Sequence, residues 1–365
     1  MARGGAALRI WLLAGAAALA GCAGGPPTAA QYSPADARAL IDESLPRGLS
    51  DRGGWLNDIY AAFTVLTVEA SRQNVCAVVA VIQQESSFQV DPIIPNLGAI
   101  ARGEIDSRAE HAHVPLMIVH GLLGWKSSDG RTYSERIDRA RTEKDLSDIY
   151  EDFISSVPLG RTLFDDKNPI RTRGPMQVNV VFANEFAAAA PYPYPVKRSI
   201  PDELFTRRGS IYFGVAHLLD YRAPYDDYVF RFADYNAGQY ASRNAAFQHA
   251  VTVASGIALD SDGALLPTAD GGPGATELAV RALGARLALS EASIHAALLL
   301  GKQRGFEQST LYQRVFELAD KSAGAPLPRA RLPTIQLQGP KLKRHLTTEW
   351  YARRVDQRFH SCLKQ

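Results

Sequence analysis

The stretch Arg72–Phe88, "RQNVCAVVAVIQQESSF", carries Val75, Val78 and Ile82 at spacings of three or four residues. That period marks one face of a helix. Glu85 and Phe88 continue the stripe, so a helix through Arg72–Phe88 turns a carboxylate toward apolar neighbours. Carboxylates are seldom buried without a partner. Two readings follow: the stripe ends near Ile82 and Glu85 caps a solvated last turn, or the acid is held there for its chemistry. The preceding stretch "WLNDIYAAFTVLTVEA", residues 55–70, is also amphipathic, and the two are expected to pack as neighbouring helices.

Outward from this pair the chain keeps a helical period. A short helical pattern occupies 35–45, ended by "PRGLSDRGG". Residues 89–173 open on the turn-rich "DPIIPNLG" and hold helical candidates around 104–123 and 134–157. The run "AAAPYPYPVKRSIPDE" at 188–203 reads as loop because proline lacks the N–H and fixes φ. Helical spacing resumes at 207–223 and 225–238, breaks at "GIALDSDGALLPTADGGPGA", and returns at 276–287 and 290–324. No clean strand alternation or internal repeat appears, so the fold is expected to be mainly α, with at most a small sheet.

The first 22 residues, "MARGGAALRIWLLAGAAALAGC", place Arg3 and Arg9 before an apolar run from Ile10 to Ala20. The run is too short and one-sided for a membrane span and reads as a secretory signal. Leu19-Ala20-Gly21-Cys22 resembles the bacterial lipobox, which implies a lipidated Cys22 and a membrane held through that anchor. Ala23 follows where an aspartate would favour inner-membrane retention. By that family rule the expected location is the outer membrane of a Gram-negative bacterium, facing the periplasm. The remaining cysteines, Cys76 and Cys362, either pair in an oxidising compartment or stay as two thiols.

A hydrophobic content of 46% with 21% charged residues describes an ordinary folded chain, and a net charge of +2 selects no partner. Between 329 and 354, Arg329, Arg331, Lys341, Lys343, Arg344, Arg353 and Arg354 face one acid, Glu349. This is a solvated run or an attraction toward anionic lipid or a polyanionic wall. Sparse aromatics and the export signal argue against nucleic acid.

Three separated stretches bear on Glu85: "ESSF" at 85–88, "GPMQV" at 174–178 and "ADYNAG" at 233–238. Together, in this order, they resemble the lytic transglycosylases of the lysozyme superfamily, which cleave cell-wall glycan. "SIYFGVAHL" at 210–218 is similar to a fourth helix of that family. The whole chain also resembles a family of bacterial outer-membrane lipoproteins that carry this core in a domain of unknown function.

The resemblance implies a goose-type lysozyme or lytic-transglycosylase helical core, with a long helical insertion and extra C-terminal helices. Its implied organisation is a signal peptide at 1–22 and a tether with short helix at 23–50. A catalytic domain follows at 51–250 (insertion 89–173), then a loop at 251–276, and helices with a basic tail at 277–365. Glu85 matches the catalytic acid and Tyr235 its supporting tyrosine. Ser86, Ser87, Met176, Gln177 and Asn236 match substrate-groove positions, with Phe88 packed beneath. No cofactor and no metal are implied; the partner is the peptidoglycan glycan strand, and protein partners are not legible.

Chemistry supports the role of Glu85 independently. A glycosidic oxygen leaves poorly unless protonated, and burial against Val78, Ile82 and Phe88 raises a carboxyl pKa. Most glycosidases add a second carboxylate. The family manages with one, the N-acetyl group assisting and the same glutamate then deprotonating the C6 hydroxyl to give a 1,6-anhydro end. The sequence departs from the family in its 85-residue stretch 89–173 before the Met-Gln motif, in Pro175, and in lacking an Ala-x-Ser-x-x-Gly-Ala step. Asp91, Glu104, Asp106 and Glu110 on the insertion are candidate second carboxylates. His111, His113 and His120 fit no zinc spacing. Hydrolysis as in a muramidase, and a wall-binding lipoprotein without turnover, are the alternatives.

Overall fold

Ser71 begins the central helix by accepting the Asn74 N–H on its hydroxyl, at 3.3 Å. In the computed structural model, which describes residues 32–164, 167–190, 192–267, 272–337 and 345–365, three helices open the body. They are α1 (Pro34–Ser44), α2 (Arg52–Val65) and α3 (Arg72–Glu85). The signal, Cys22, most of the tether, and Lys341, Lys343 and Arg344 lie outside the described residues. Every residue of α3 from Val75 to Ile82 is buried. The helix stops at Glu85, three residues short of the expected Phe88, because Ser87 and Phe88 take φ of 50° and 62°. Left-handed residues cannot continue a right-handed helix. The reversal lays Phe88 edge-on against Trp55 of α2, with ring centroids 5.1 Å apart.

The insertion folds as α4 (Leu97–His111), α5 (Leu116–Leu123), α6 (Tyr133–Arg139), α7 (Glu143–Ser156) and α8 (Gly160–Phe164). It has its own small core of Tyr133, Ile137, Ala140 and Ile149. The two expected helical stretches are each divided. Pro115 separates α4 from α5, and extended residues at Ala140 and Thr142 separate α6 from α7. Reciprocal caps, Thr132 with Glu135 and Thr142 with Asp145, start α6 and α7.

Strands β1 (Thr172–Arg173) and β2 (Val178–Asn179) pair antiparallel around the Gly174–Gln177 turn. Then come α9 (Val180–Ala189), α10 (Ile200–Glu203), α11 (Arg207–Leu219) and α12 (Tyr228–Ala237). The C-terminal part comprises α13 (Ala241–Ser255), α14 (Ala275–Ala282), α15 (Gly284–Leu287), α16 (Glu291–Leu298) and α17 (Thr310–Ala323). A second short pair, β3 (Gln336–Leu337) with β4 (Leu346–Thr347), leads into α18 (Thr348–Leu363).

Two larger cores result. One joins α1, α2, α3, α11 and α12 with α18, through residues such as Ile59, Val78, Phe213, Phe232 and Phe359. The other joins α13, α14, α16 and α17 around Phe247, Phe306 and Phe316. Asp234 stitches them at the α12–α13 junction. It is fully buried and accepts the Ser242 and Tyr240 N–H groups and the Tyr221 and Tyr225 hydroxyls.

The C-terminal tail is therefore not peripheral. Tyr351, Val355, Phe359 and Cys362 of α18 form a buried stripe, while Arg353 and Arg354 stay exposed on its outer side. Cys76 and Cys362 are bridged, with Cα atoms 5.6 Å apart, which answers the alternative left open by the sequence. The fold is mainly α, with extra C-terminal helices.

Candidate active site around Glu85

Glu85 closes α3, partly buried, and its Oε1 accepts a short hydrogen bond from the Tyr351 hydroxyl of α18. Burial lifts its pKa to about 7; the Tyr351 bond pulls the other way, and the negative charge of Glu143 adds to the rise. The solvated-cap reading therefore fails. This carboxyl keeps its proton far above the ordinary range, the condition a general acid needs near neutral pH.

The tyrosine that touches the acid is not the expected one. Tyr235 is buried and donates its hydroxyl to the Met176 carbonyl at 2.7 Å, so it props the Met-Gln turn. Burial, and then the charge of Glu85, hold its phenol well above the usual range. His217 lies against Tyr235, ring centroids 5.0 Å apart, and desolvation lowers its pKa to about 4. The imidazole is thus neutral at physiological pH.

The two motif residues of the turn separate in role. Met176 has no exposed surface, so its expected groove position is corrected to a core one. Its N–H donates to Ser210 Oγ at 3.0 Å, and Gly214 of α11 makes room for its sulfur: a Cβ there would fall 2.3 Å from Sδ. Gln177, at φ 50°, turns the other way. Its Oε1 accepts from Thr172 Oγ1 at 2.8 Å and its Nε2 donates to Glu143 Oε2 at 3.0 Å. The insertion thus meets the motif at the start of α7.

Ser86 is buried and donates to the Ile82 carbonyl at 3.2 Å, a local helix-end bond, whereas Ser87 is exposed on the reversal after α3. Asn236 is exposed at the end of α12 and accepts from Thr348 Oγ1 at 2.8 Å, tying that end to the start of α18. Of the five residues matched to the groove, Ser87 and Asn236 are thus exposed and Gln177 half-buried, whereas Ser86 and Met176 are buried.

Of the four candidate second carboxylates, three lie on α4. Glu104 pairs with Arg108, Asp106 meets His120 at 2.8 Å, and Glu110 is exposed. Asp91 sits by the N-terminus of α7; burial raises its pKa, opposed by a bond with Thr142. The carboxylate whose charge reaches Glu85 is Glu143, which sequence reasoning missed. The available signal was the capping pattern Thr142-x-x-Asp145, which marks Glu143 as the first helical residue of α7. His111 Nδ1 faces the Ser107 carbonyl at 2.7 Å. Among the described residues, no group of three or more His, Cys, Asp or Glu is placed to hold a metal ion.

The chain belongs to the family described as "Protein of unknown function (DUF1615)", whose model matches residues 48–365. It is 46% identical over 349 residues to "Uncharacterized protein YaiW" of Escherichia coli (strain K12), covering 95% of both chains. No solved structure matches the chain.

Proposed function

We propose that the protein is a membrane-anchored peptidoglycan lytic transglycosylase with a lysozyme-like core, acting on the MurNAc–GlcNAc β-1,4 bond. The observation that carries the reading is Glu85, a carboxyl held protonated to about pH 7 at the end of a buried helix. Around it stand the three motifs, brought to one place by α3, the β1–β2 turn and α12. In the proposed reaction Glu85 protonates the glycosidic oxygen as the C1–O bond breaks, and the substrate's N-acetyl oxygen bonds to C1. The resulting Glu85 carboxylate then takes the C6 hydroxyl proton. O6 attacks C1 and displaces the acetamido oxygen, closing a 1,6-anhydro ring with no water consumed. Gln177 and Asn236 hold sugar substituents, and Ser87 offers a hydroxyl at the rim.

A second reading, hydrolysis as in a muramidase, is favoured by one observation: the charge of Glu143 is felt at Glu85. A base on that side would direct water at C1. Mass spectrometry of muropeptides released from purified sacculi tests both, since anhydro ends are lighter than hydrolysed ends by one water. We expect anhydro ends, and we expect Glu143→Gln to change the rate by less than about tenfold, well under the ~10²–10⁴ that a lost general base costs. Reducing ends that vanish in Glu143→Gln decide for the muramidase. No product from the wild-type protein decides for a binding lipoprotein without turnover.

The proposed location is the outer membrane, facing the periplasm, through a lipid on Cys22. Cys22→Ala should release the protein from the membrane fraction or leave it unprocessed, and should abolish labelling by a palmitate analogue. Equal labelling of both forms excludes the anchor. The 89–173 insertion, joined to the site through Glu143 and Gln177, is proposed to restrict which strands enter.

A further inference from the structure

We infer that α18 is a strap that completes the active site: Tyr351 is the positioning residue of Glu85, and the Cys76–Cys362 bridge keeps it in place. The inference rests on the proposed role of Glu85 as acid and base, and it assigns work to a segment outside every motif.

The geometry is specific about which oxygen does what. Among the described residues the Glu85 carboxyl has one hydrogen bond, received on Oε1 from the Tyr351 hydroxyl. A protonated carboxyl has one carbonyl oxygen, which accepts, and one hydroxyl oxygen, which donates. The Tyr351 bond therefore makes Oε1 the carbonyl oxygen and leaves the acidic proton on Oε2. Tyr235 has no hydroxyl proton to spare for this task, because it is given to the Met176 carbonyl.

The same bond acts again after proton transfer. A phenol donating to a carboxylate is a charge-assisted bond, stronger than one to the neutral acid. Tyr351 thus stabilises the carboxylate that must next accept the C6 proton, and it restrains a pKa that burial alone would drive higher. The groups bearing on this carboxyl are Tyr351 from α18, which favours the charged form, and Glu143 from α7, which opposes it. Tyr235 from α12 is also within its electrostatic reach.

Tyr351 can do this only if α18 stays seated on α3. Two fastenings flank α3 itself: the disulfide from Cys76 to Cys362, and Arg358 Nε donating to Gln84 Oε1 at 3.0 Å. The near end is held by Thr348 on Asn236, and the middle by Phe359 stacked on Tyr228 at 4.8 Å. Gln84 is the neighbour of Glu85, so the strap grips α3 beside the acid and again at Cys76.

The test uses the full chain with 13C-labelled glutamate carboxyls, the Glu85 resonance being the one missing from Glu85→Gln. Tyr351→Phe keeps the ring and the packing. We expect its Glu85 titration midpoint to rise by about one unit, as a lost bond to a charged group implies. We also expect its muropeptide release to fall about tenfold at mildly acidic pH, with the alkaline limb of the profile moved to higher pH. Reducing the wild-type disulfide with a dithiol should move the midpoint in the same direction. It should also speed hydrogen exchange in 348–363 and leave 310–323 unchanged. An unmoved midpoint in Tyr351→Phe overturns the positioning role. An unmoved midpoint on verified reduction overturns the role of the bridge. A wild-type protein silent on sacculi counts against glycan cleavage alone, because the titration reads Tyr351 without turnover.

Discussion

Glu85→Gln is expected to bind sacculi as the wild type does and to release almost no muropeptide. Glutamine keeps the shape, and its amide oxygen can still accept from Tyr351, so the seating of α18 on α3 should be kept. What disappears is the proton. General acid–base catalysis is worth roughly 10²–10⁴-fold, and one residue serving both halves of the proposed reaction would put the loss toward the upper end. Tyr235→Phe should cost less, since it loosens the Met176 carbonyl and leaves the acid present. Retained release by Glu85→Gln removes the site assignment.

The pH dependence follows with a definite sign. The Glu85 pKa is about 7 in the folded protein against an ordinary 4.5, so the acid form persists to neutrality, and the proposed acid-dependent turnover should fall as pH rises through about 7. The folded state also binds more protons than the unfolded state between those values. The stability that Glu85 contributes therefore declines from about pH 4.5 to 7 and levels off above. Glu85→Gln cannot lose a proton there, so it should escape that decline, by up to about 3 kcal/mol at pH 8. Denaturant unfolding of both proteins at pH 4 and pH 8 reads this without any substrate.

Glu85 was legible because its signal is local: apolar positions at helical spacing that run into one acid. Its partners were not. Tyr351 lies 266 residues away, and nothing in "TEWYARRV" points to Glu85. The stripe Tyr351, Val355, Phe359, Cys362 was there to be read as a helix face, but the surrounding arginines gave the tail a solvated look. Helix α13 hides for the opposite reason. It is buried nearly all round, so it shows no amphipathic pattern, and its interior holds Ser242, Arg243, Asn244 and Gln248. Arg243 is satisfied there by the Gly301 and Gln303 carbonyls and by Glu307, partners supplied by a distant turn. The end of α3 is hard to read from sequence for a backbone reason, since a bulky residue at positive φ is uncommon and Phe88 adopts it while packed in the core against Trp55.

Gly174→Ala should be among the most damaging single changes in the chain. Gly174 sits at φ +74°, where an L-residue costs about 1–2 kcal/mol. That alone is tolerable. The larger cost is steric: a Cβ at Gly174 would lie 1.9 Å from the Leu204 carbonyl oxygen and 2.8 Å from Ser210 Cβ. The first obstacle is backbone, so the turn or the α10–α11 corner must move. Moving the turn breaks what hangs on it: Met176 N–H on Ser210, Gln177 N–H on the Gly174 carbonyl, and the Tyr235 hydroxyl on the Met176 carbonyl. We expect a loss of at least about 3–4 kcal/mol, in the range where core overpacking and broken buried hydrogen bonds combine. Gly130→Ala supplies the comparison, because Gly130 has a similar φ of +83° and nothing within 4 Å of an added Cβ. It should lose only the conformational part, about 1–2 kcal/mol. Denaturant unfolding of the two variants against the wild type isolates the close approach of turn and helix, and equal losses would mean that the approach does not hold the turn. Where Gly174→Ala still folds, release from sacculi should fall much further than in Gly130→Ala, because Gln177 and its bond to Glu143 ride on the displaced turn.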